Sequence, residues 1–362
     1  MIPVLHVIHK FDRRAGPDVL VAELLARLDR RRWAPSVALI DFALFDGPSL
    51  LEERLPDDVP LHRVPWGGLG GLPRAMRAMR RIHHVTGARL VHSHDIPSHL
   101  VSAAAGGPRV ASVHGIVDQT GRQRQWNRIN AALLRRADRV IVSSDPVAAA
   151  LGRAIRGRQE VLLNAIDTDA IAPNPPRPPR TPGDPLRVIC VARLSAEKAH
   201  ADLIEAVRLV ADPRLRLDVL GTGPLLDPLR AQAGAVPGVT VHGFVEDASP
   251  WFREADLFAL ASIRESLSIG VLEAMAHGLP VLTTDVGAHP AVVGESGAGR
   301  VVPAGSPPAL AAALRGALDD PEEFAAMGRR GRDAVVSRHS MDHFASRTAA
   351  IYAEVLEGRG AR

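Results

Sequence analysis

Leu257-Phe-Ala-Leu-Ala-Ser-Ile-Arg-Glu265-Ser-Leu-Ser-Ile-Gly-Val-Leu-Glu273-Ala-Met-Ala-His-Gly-Leu-Pro280 reads as a strand, a short polar loop and a helix. The apolar run from Asp256 to Ala261 is the strand, and the helix opens at about Ser268. Glu265 sits in the loop and Glu273 about a turn and a half into the helix. Free backbone N–H groups at a helix start favour an anion such as phosphate. Carboxylates flanking that point can accept hydrogen bonds from the hydroxyls of a sugar or a ribose. One loop can thus hold a phosphate and the hydroxyls on either side of it. A surface glutamate and a helix-face glutamate of no special function would show the same spacing.

A second stretch points the same way. The strand Leu186–Ala192 runs into Arg193-Leu-Ser-Ala-Glu-Lys198. Both cations stand at the carboxyl end of a strand, where open α/β sheets bind ligands. Lys10 and Lys198 are the only lysines, beside 42 arginines. A compact ammonium suits a phosphate as a point charge, whereas arginine presents a planar fork. Lys10, also near a strand end, shows that scarcity alone assigns no role.

Outward from these two stretches the chain alternates strand and helix twice. Strands are expected at Val4–His9, Ser36–Asp41, Leu61–Val64, Leu90–His94, Val110–His114, Val140–Ser143 and Val161–Leu163. Prolines then crowd between Ile171 and Pro185, too densely for a helix or a sheet interior. A second alternation follows, with strands at Leu186–Ala192, Arg216–Leu220, Thr240–Gly243, Leu257–Ala261, Val281–Thr283 and Gly299–Val302. Such alternation implies an α/β fold with parallel sheets covered on both faces. The expected organisation is two Rossmann-like domains facing across a cleft, residues 1–168 and 186–338, joined by a linker at 169–185.

At 362 residues, two domains of ordinary size are expected. The single cysteine, Cys190, excludes a disulfide within the chain and fits a reducing, cytoplasmic compartment. The first residues read as a strand rather than a signal peptide, and no apolar run approaches the ~18 residues of a spanning helix. Net charge is +4, unevenly spread: residues 1–166 carry 24 Lys/Arg against 15 Asp/Glu, and residues 167–362 carry 20 against 25. The helical stretch Pro73–His84 gathers Arg74, Arg77 and Arg81 near one face. That face fits either peripheral contact with an anionic membrane or plain solvation. Few aromatics and no recognition motif argue against nucleic acid.

Arg193-x4-Lys198, Glu265-x7-Glu273, Gly221-Thr-Gly-Pro-Leu225, His242-Gly-Phe-Val245, Val113-His-Gly115 and Asn164-Ala-Ile-Asp167 occur together. The set resembles the retaining, nucleotide-sugar-dependent GT-B glycosyltransferases called family 4, and the likeness runs from about residue 3 to the C-terminus. It implies that a last helix, in residues 339–362, crosses back onto the N-terminal domain. It places Arg193 and Lys198 on the donor diphosphate, Glu265 beside the donor sugar and Glu273 on the ribose hydroxyls. Backbone groups of Ser266, Leu267, Ser268 and Ile269 would meet the sugar or β-phosphate. Gly221 and Gly223 would lie near the nucleotide, Val245 near the base, and Gly16 near the phosphate or acceptor. His114 would contact the donor sugar in the active site. Two departures stand out. Ser266-Leu-Ser268 replaces the usual Gly-Phe-Gly, and Ala291 replaces a glutamate in Val286-Gly-Ala-His-Pro-Ala-Val292. His92-x-His94-Asp95 could suggest a metal, since two histidines share a strand face. By the resemblance such residues serve without one, so no metal and no cofactor are expected.

The expected reaction moves a hexose or N-acetylhexosamine from a nucleoside diphosphate, first a UDP-sugar and second GDP-mannose. The acceptor would be a hydroxyl of a saccharide, a lipid-linked saccharide or a small molecule. By resemblance the acceptor attacks on the face the leaving group departs from, and Arg193, Lys198 and helix N–H groups stabilise the departing diphosphate. Three alternatives are weighed. A GT-B epimerase would turn over without acceptor. A non-catalytic sugar-nucleotide module would have lost the charged residues kept here. A Rossmann oxidoreductase would need Gly-x-Gly-x-x-Gly after its first strand, which is absent.

Overall fold

The computed structural model describes residues 1–10, 16–42, 49–67, 69–114, 121–174 and 183–360. The loop before Gly16, Gly115, and prolines of the segment 175–182 lie outside them. The chain divides into two compact units, residues 1–165 with 341–362, and residues 166–340.

In the first unit the described residues form a seven-stranded sheet: β1 (Ile2–His9), β2 (Trp33–Phe42), β3 (Leu61–Trp66), β4 (Leu90–Ser93), β5 (Arg109–Val113), β6 (Arg139–Val142) and β7 (Gln159–Val161). Their order is β3-β2-β1-β4-β5-β6-β7, and every pairing is parallel. Period-two alternation divides each strand between two apolar layers. Leu5 and Val7 pack with Ala38, Ile40, Val64 and Met79 on one face. Val4 and Ile8 pack with Leu24, Leu25, Trp33 and Tyr352 on the other. Tyr352 comes from the last helix, Met341–Gly360. Its Met341, Phe344, Ala345, Thr348, Ile351, Tyr352 and Val355 are buried, the i, i+3/i+4, i+7 stripe of an amphipathic helix. The helix therefore belongs to the first unit.

One strand differs from its expected place. The apolar Val161-Leu-Leu163 suggests a strand there, but pairing runs Val140↔Gln159 to Val142↔Val161. This is an edge strand with an exposed, polar surface, so apolar content does not mark its ladder. Leu162 is buried just beyond it.

The second unit has six parallel strands among the described residues: β8 (Leu186–Val191), β9 (Leu215–Leu220), β10 (Val239–Gly243), β11 (Leu257–Leu260), β12 (Val281–Thr284) and β13 (Gly299–Val302). Their order is β10-β9-β8-β11-β12-β13. The direction in which successive strands are added reverses between β1 and β4 in one sheet and between β8 and β11 in the other, although every strand stays parallel. Each reversal opens a crevice at the carboxyl ends of the strands. The start of the proline-rich stretch is tied to the second unit. Asn174 N–H donates to the His277 carbonyl at 3.0 Å, its amide donates to the Phe252 carbonyl at 2.9 Å, and Arg332 donates to the Ile171 carbonyl at 2.7 Å.

Candidate active site

In the second unit β8 and β11 are neighbours, so the loops that leave their carboxyl ends emerge side by side. The Glu197 carbonyl accepts hydrogen bonds from the N–H groups of Ile263 at 2.9 Å and Arg264 at 3.4 Å, fastening one loop to the other. On this seam Lys198 Nζ forms an ion pair with Glu265 Oε2. Both side chains are mostly buried, at 16% and 14% exposure, which shields the pair from solvent. Glu265 Oε1 also accepts from the Ser266 N–H at 3.2 Å. Ala199, just after Lys198, has φ 46°, and a non-glycine residue held there marks a locally constrained backbone. Arg193 is exposed.

Gly221 and Gly223 follow β9. A Cβ on Gly221, whose φ is 141°, would lie 1.9 Å from the Ala192 carbonyl oxygen, and one on Gly223 would lie 2.3 Å from that of Leu194. The Leu194 N–H donates to the Thr222 carbonyl at 2.9 Å, and the Leu225 N–H to the Leu194 carbonyl at 3.1 Å. The glycines thus let this loop lie directly on the backbone that carries Arg193. The following helix opens at Leu226. Gly223→Ala is expected to destabilise the protein by roughly 1–3 kcal/mol, as for other forced overpacking. Gly234→Ala, with nothing within 4 Å of its Cβ, serves as the control. Denaturant unfolding of both variants checks this; equal midpoints would show that the loop yields freely.

The helix Ile269–Ala276 opens after Ser268, whose side chain makes no capping hydrogen bond. The N–H groups of its first turn have no intrahelical acceptor and stand available to an anion. Ser266, Leu267 and Ser268 are buried and Ile269 is half-buried. The Ala288 N–H holds this loop from behind, donating to the Ser266 carbonyl at 2.7 Å. Glu273 is half-buried on a helix whose other residues, Ile269 apart, are fully buried. Burial, with no ion pair to offset it, lifts its carboxyl to about 7. Val245 is half-buried beyond β10. The strand end before it is held by His242 Nε2 on Asp218 Oδ1 at 2.7 Å and by the His242 ring against Trp251.

In the first unit, His114 follows β5 and is half-buried. Its Nε2 lies 3.2 Å from His94 Nδ1. Burial pushes its pKa down to about 4 against the opposing pull of Asp95. Gly16 is the first residue of the helix Gly16–Arg27. Asp95 accepts from the His9 N–H at 2.9 Å, pairs with His9 Nδ1 at 3.1 Å and caps the helix Ile96–Ser102.

Arg193, Lys198, Gly221, Gly223, Val245, Glu265, Ser266, Leu267, Ser268, Ile269 and Glu273 thus all lie at the carboxyl edge of the second sheet. His114 and Gly16 lie at that of the first. Sequence reasoning missed His289. It is fully buried, its Nδ1 lies 2.8 Å from Thr283 Oγ1, and its Nε2 has no partner. Burial pushes its pKa down to about 4, with Glu265 opposing and Lys198 assisting, so it lies within electrostatic range of the ion pair. The signal was its place in Val286-Gly-Ala-His289, a stretch whose reading centred on Ala291.

Residues 15–170 match the family described as Glycosyltransferase Family 4, and residues 185–320 match Glycosyl transferases group 1. A GDP-mannose-dependent alpha-(1-6)-phosphatidylinositol monomannoside mannosyltransferase from Mycolicibacterium smegmatis is 32% identical over 311 residues, covering 75% of this chain and 79% of the relative. A D-inositol 3-phosphate glycosyltransferase from Streptomyces avermitilis is 30% identical over 254 residues. There the match covers 62% of this chain and spans only about half, 54%, of the relative's length. Among solved structures, sucrose-phosphate synthase from Thermosynechococcus elongatus superposes with a TM-score of 0.82 at 20% identity, covering 99% of this chain and 100% of that one. HepE of Anabaena in complex with UDP superposes with a TM-score of 0.81 at 19% identity, covering 97% and 99%. At such identities these structures share the GT-B architecture. With both family matches in chain order and a relative at 32% identity over most of its length, this chain belongs to the group 1 glycosyltransferases of family 4.

Proposed function

We propose that this chain is a retaining glycosyltransferase. It moves a hexose or N-acetylhexosamine from a nucleoside diphosphate sugar to a hydroxyl of a saccharide, lipid-linked or small-molecule acceptor. The observation that carries the reading is the Lys198–Glu265 pair at the β8/β11 reversal, next to an uncapped helix start and the unpaired carboxyl of Glu273. Arg193, Lys198 and the helix N–H groups supply positive charge where a diphosphate departs. Glu265 takes the sugar side, Glu273 the ribose, Val245 the base, and the backbone of Ser266, Leu267, Ser268 and Ile269 the β-phosphate. The Gly221–Gly223 loop shapes the nucleotide side, and His114 and Gly16 serve the donor sugar and phosphate from the first unit. UDP-hexoses are the first donors to test. GDP-mannose is the rival, because the mycobacterial relative is named for it. A donor screen reading nucleotide release with and without acceptor tests the proposal. Sugar interconversion without any acceptor would favour an epimerase instead.

The leaving group is expected to need no divalent ion, since the protein's own cations face it. Turnover should persist in EDTA; loss that magnesium or manganese restores would show that a metal carries the diphosphate charge.

We further propose that the basic first unit meets an anionic, lipid-linked acceptor at a membrane surface. The described residues contain no helix long and apolar enough to cross a membrane. The helix Leu72–Thr86 buries Ala75, Met79 and Ile82 and leaves Arg74, Arg77 and Arg81 exposed on the opposite side. Binding to anionic vesicles should weaken steeply with salt, because such charges are screened beyond ~8–10 Å at physiological ionic strength. Changing the three arginines together to glutamine should reduce it. Failure to sediment with vesicles at low salt would leave a solvated basic face and a soluble acceptor.

A further inference from the structure

Six side chains form an unbroken hydrogen-bonded chain through the first unit. His114 Nε2 lies 3.2 Å from His94 Nδ1, and His94 Nε2 lies 3.1 Å from His6 Nδ1. His6 Nε2 lies 3.4 Å from Tyr352 Oη, Tyr352 Oη 2.6 Å from His92 Nδ1, and His92 Nε2 2.7 Å from Ser112 Oγ. The rings of His114, His94 and His6 stack with interplanar angles of 12° at each step. All members except His114 are buried at 3% exposure or less. The chain's single tyrosine, on the last helix, is the hinge of this row.

A neutral imidazole has one donor and one acceptor nitrogen, so orienting one link orients them all. The two contacts of Tyr352 differ enough to do this. At 2.6 Å the hydroxyl donates to His92 Nδ1, while 3.4 Å is a stretched N–H donating to the same oxygen. His6 therefore carries its hydrogen on Nε2 and accepts at Nδ1 from His94 Nε2–H. His94 in turn accepts at Nδ1 from His114 Nε2–H. We propose that Tyr352 is a positioning residue that orders this row and holds His114 as the Nε2–H tautomer, leaving its Nδ1 lone pair to accept a hydroxyl hydrogen bond. The use of that lone pair for a sugar hydroxyl rests on the placement of His114 under Proposed function.

The surroundings support a row that stays neutral. Burial depresses His6 to about 3 and His99 and His114 to about 4, and holds His92 and His94 well below the usual range. Asp95, the one carboxylate among the described residues that acts on this end of the row, is held low by its His9 contacts against the upward push of burial. His99 is occupied by Ser93 at 2.7 Å. Ring nitrogens of His6, His92 and His94 lie within 4.8 Å of one another, a spacing a cation could use. Every ring nitrogen of these three already has a partner in the row, so a cation would have to displace those bonds.

Nitrogen-15 histidine spectra of the full-length protein test this, with His114 assigned by its loss in His114→Gln. The expected result is an unprotonated Nδ1 and a protonated Nε2 that do not titrate between pH 5 and 8. Tyr352→Phe should convert His114 to a tautomer mixture and lower kcat/KM for the donor by about tenfold, the scale of one ordered hydrogen bond. Ser112→Ala, at the far end, should leave the His114 tautomer as it is. A wild-type His114 with its hydrogen on Nδ1 would overturn the proposal, whether or not the variants fold. Unchanged His114 shifts in Tyr352→Phe, a tautomer switch in Ser112→Ala, or a stoichiometric metal lost in His92→Gln would do the same. If the His114 shifts follow Tyr352 while His114→Gln and Tyr352→Phe transfer sugar at the wild-type rate, the ordered row stands and the placement of His114 against the sugar falls.

Discussion

Lys198→Ala is expected to lower sugar transfer by at least ~10²-fold, the scale of removing one preorganised electrostatic donor from a reacting site. The structure adds a reason for so large an effect. Lys198 is held by Glu265 rather than ranging through solvent, so its charge is in position before the diphosphate starts to leave. Its removal also strands Glu265 in a mostly buried position, where an unpaired carboxylate is costly. Arg193→Ala should act in the same direction, through a more exposed cation on the same loop. Steady-state kinetics on folded variants decides the point. A lowered kcat with a nearly unchanged KM would place Lys198 on the transition state; near-wild-type turnover in both variants would remove the diphosphate from this seam.

The second large effect concerns Glu273→Gln. A carboxylate that accepts two ribose hydroxyls gains roughly 1.5–3 kcal/mol per charge-assisted bond, so donor affinity should fall by tenfold or more. The free nucleoside diphosphate should lose affinity by a similar factor, because it carries the same ribose. The pH dependence has a definite sign. Burial raises the Glu273 carboxyl from 4.5 to about 7 in the free protein, so its ionisation is penalised. That penalty is absent below the unfolded value near 4.5, and it grows as pH rises toward and through about 7. Ribose hydroxyls favour the ionised form, so binding near pH 6 should release a proton from Glu273 and tighten as pH rises to 8. Calorimetry in buffers of different ionisation enthalpy reads that proton directly. Glu273→Gln should abolish the share due to this group and leave that of the ligand's own phosphate. Equal proton release in wild type and variant would show that Glu273 is not the ribose acceptor. Glu265→Gln would not serve as a selective control, because that change also removes the ion pair that holds Lys198.

Much of this protein was legible as a sequence. Two rounds of strand–helix alternation point to two parallel sheets, because parallel strands need a crossover, usually a helix, between them and read as near-continuous apolar runs when both faces are covered. The paired glutamates and the Arg193/Lys198 loop announce a site because charge at a strand's carboxyl end has few structural uses. What the sequence could not show is which of these residues meet. Lys198 and Glu265 are 67 positions apart, and only the β10-β9-β8-β11-β12-β13 order makes their loops neighbours. Gly221 and Gly223 read as lying near a nucleotide, and tertiary packing adds a separate need for glycine there, since a Cβ would strike the Ala192 or Leu194 backbone. His289 was hidden because nothing local distinguishes a buried histidine beside an ion pair from one in the core. The imidazole row is the extreme case. Its members come from β1, the β4 and β5 ends and a helix more than 230 residues downstream, and although His92, His94 and His114 each draw notice in the sequence, nothing there joins them to His6, Ser112 or Tyr352. Sequence determines which side chains can be donors, acceptors or charges; tertiary structure decides which of them lie within the ~3 Å over which a hydrogen bond acts.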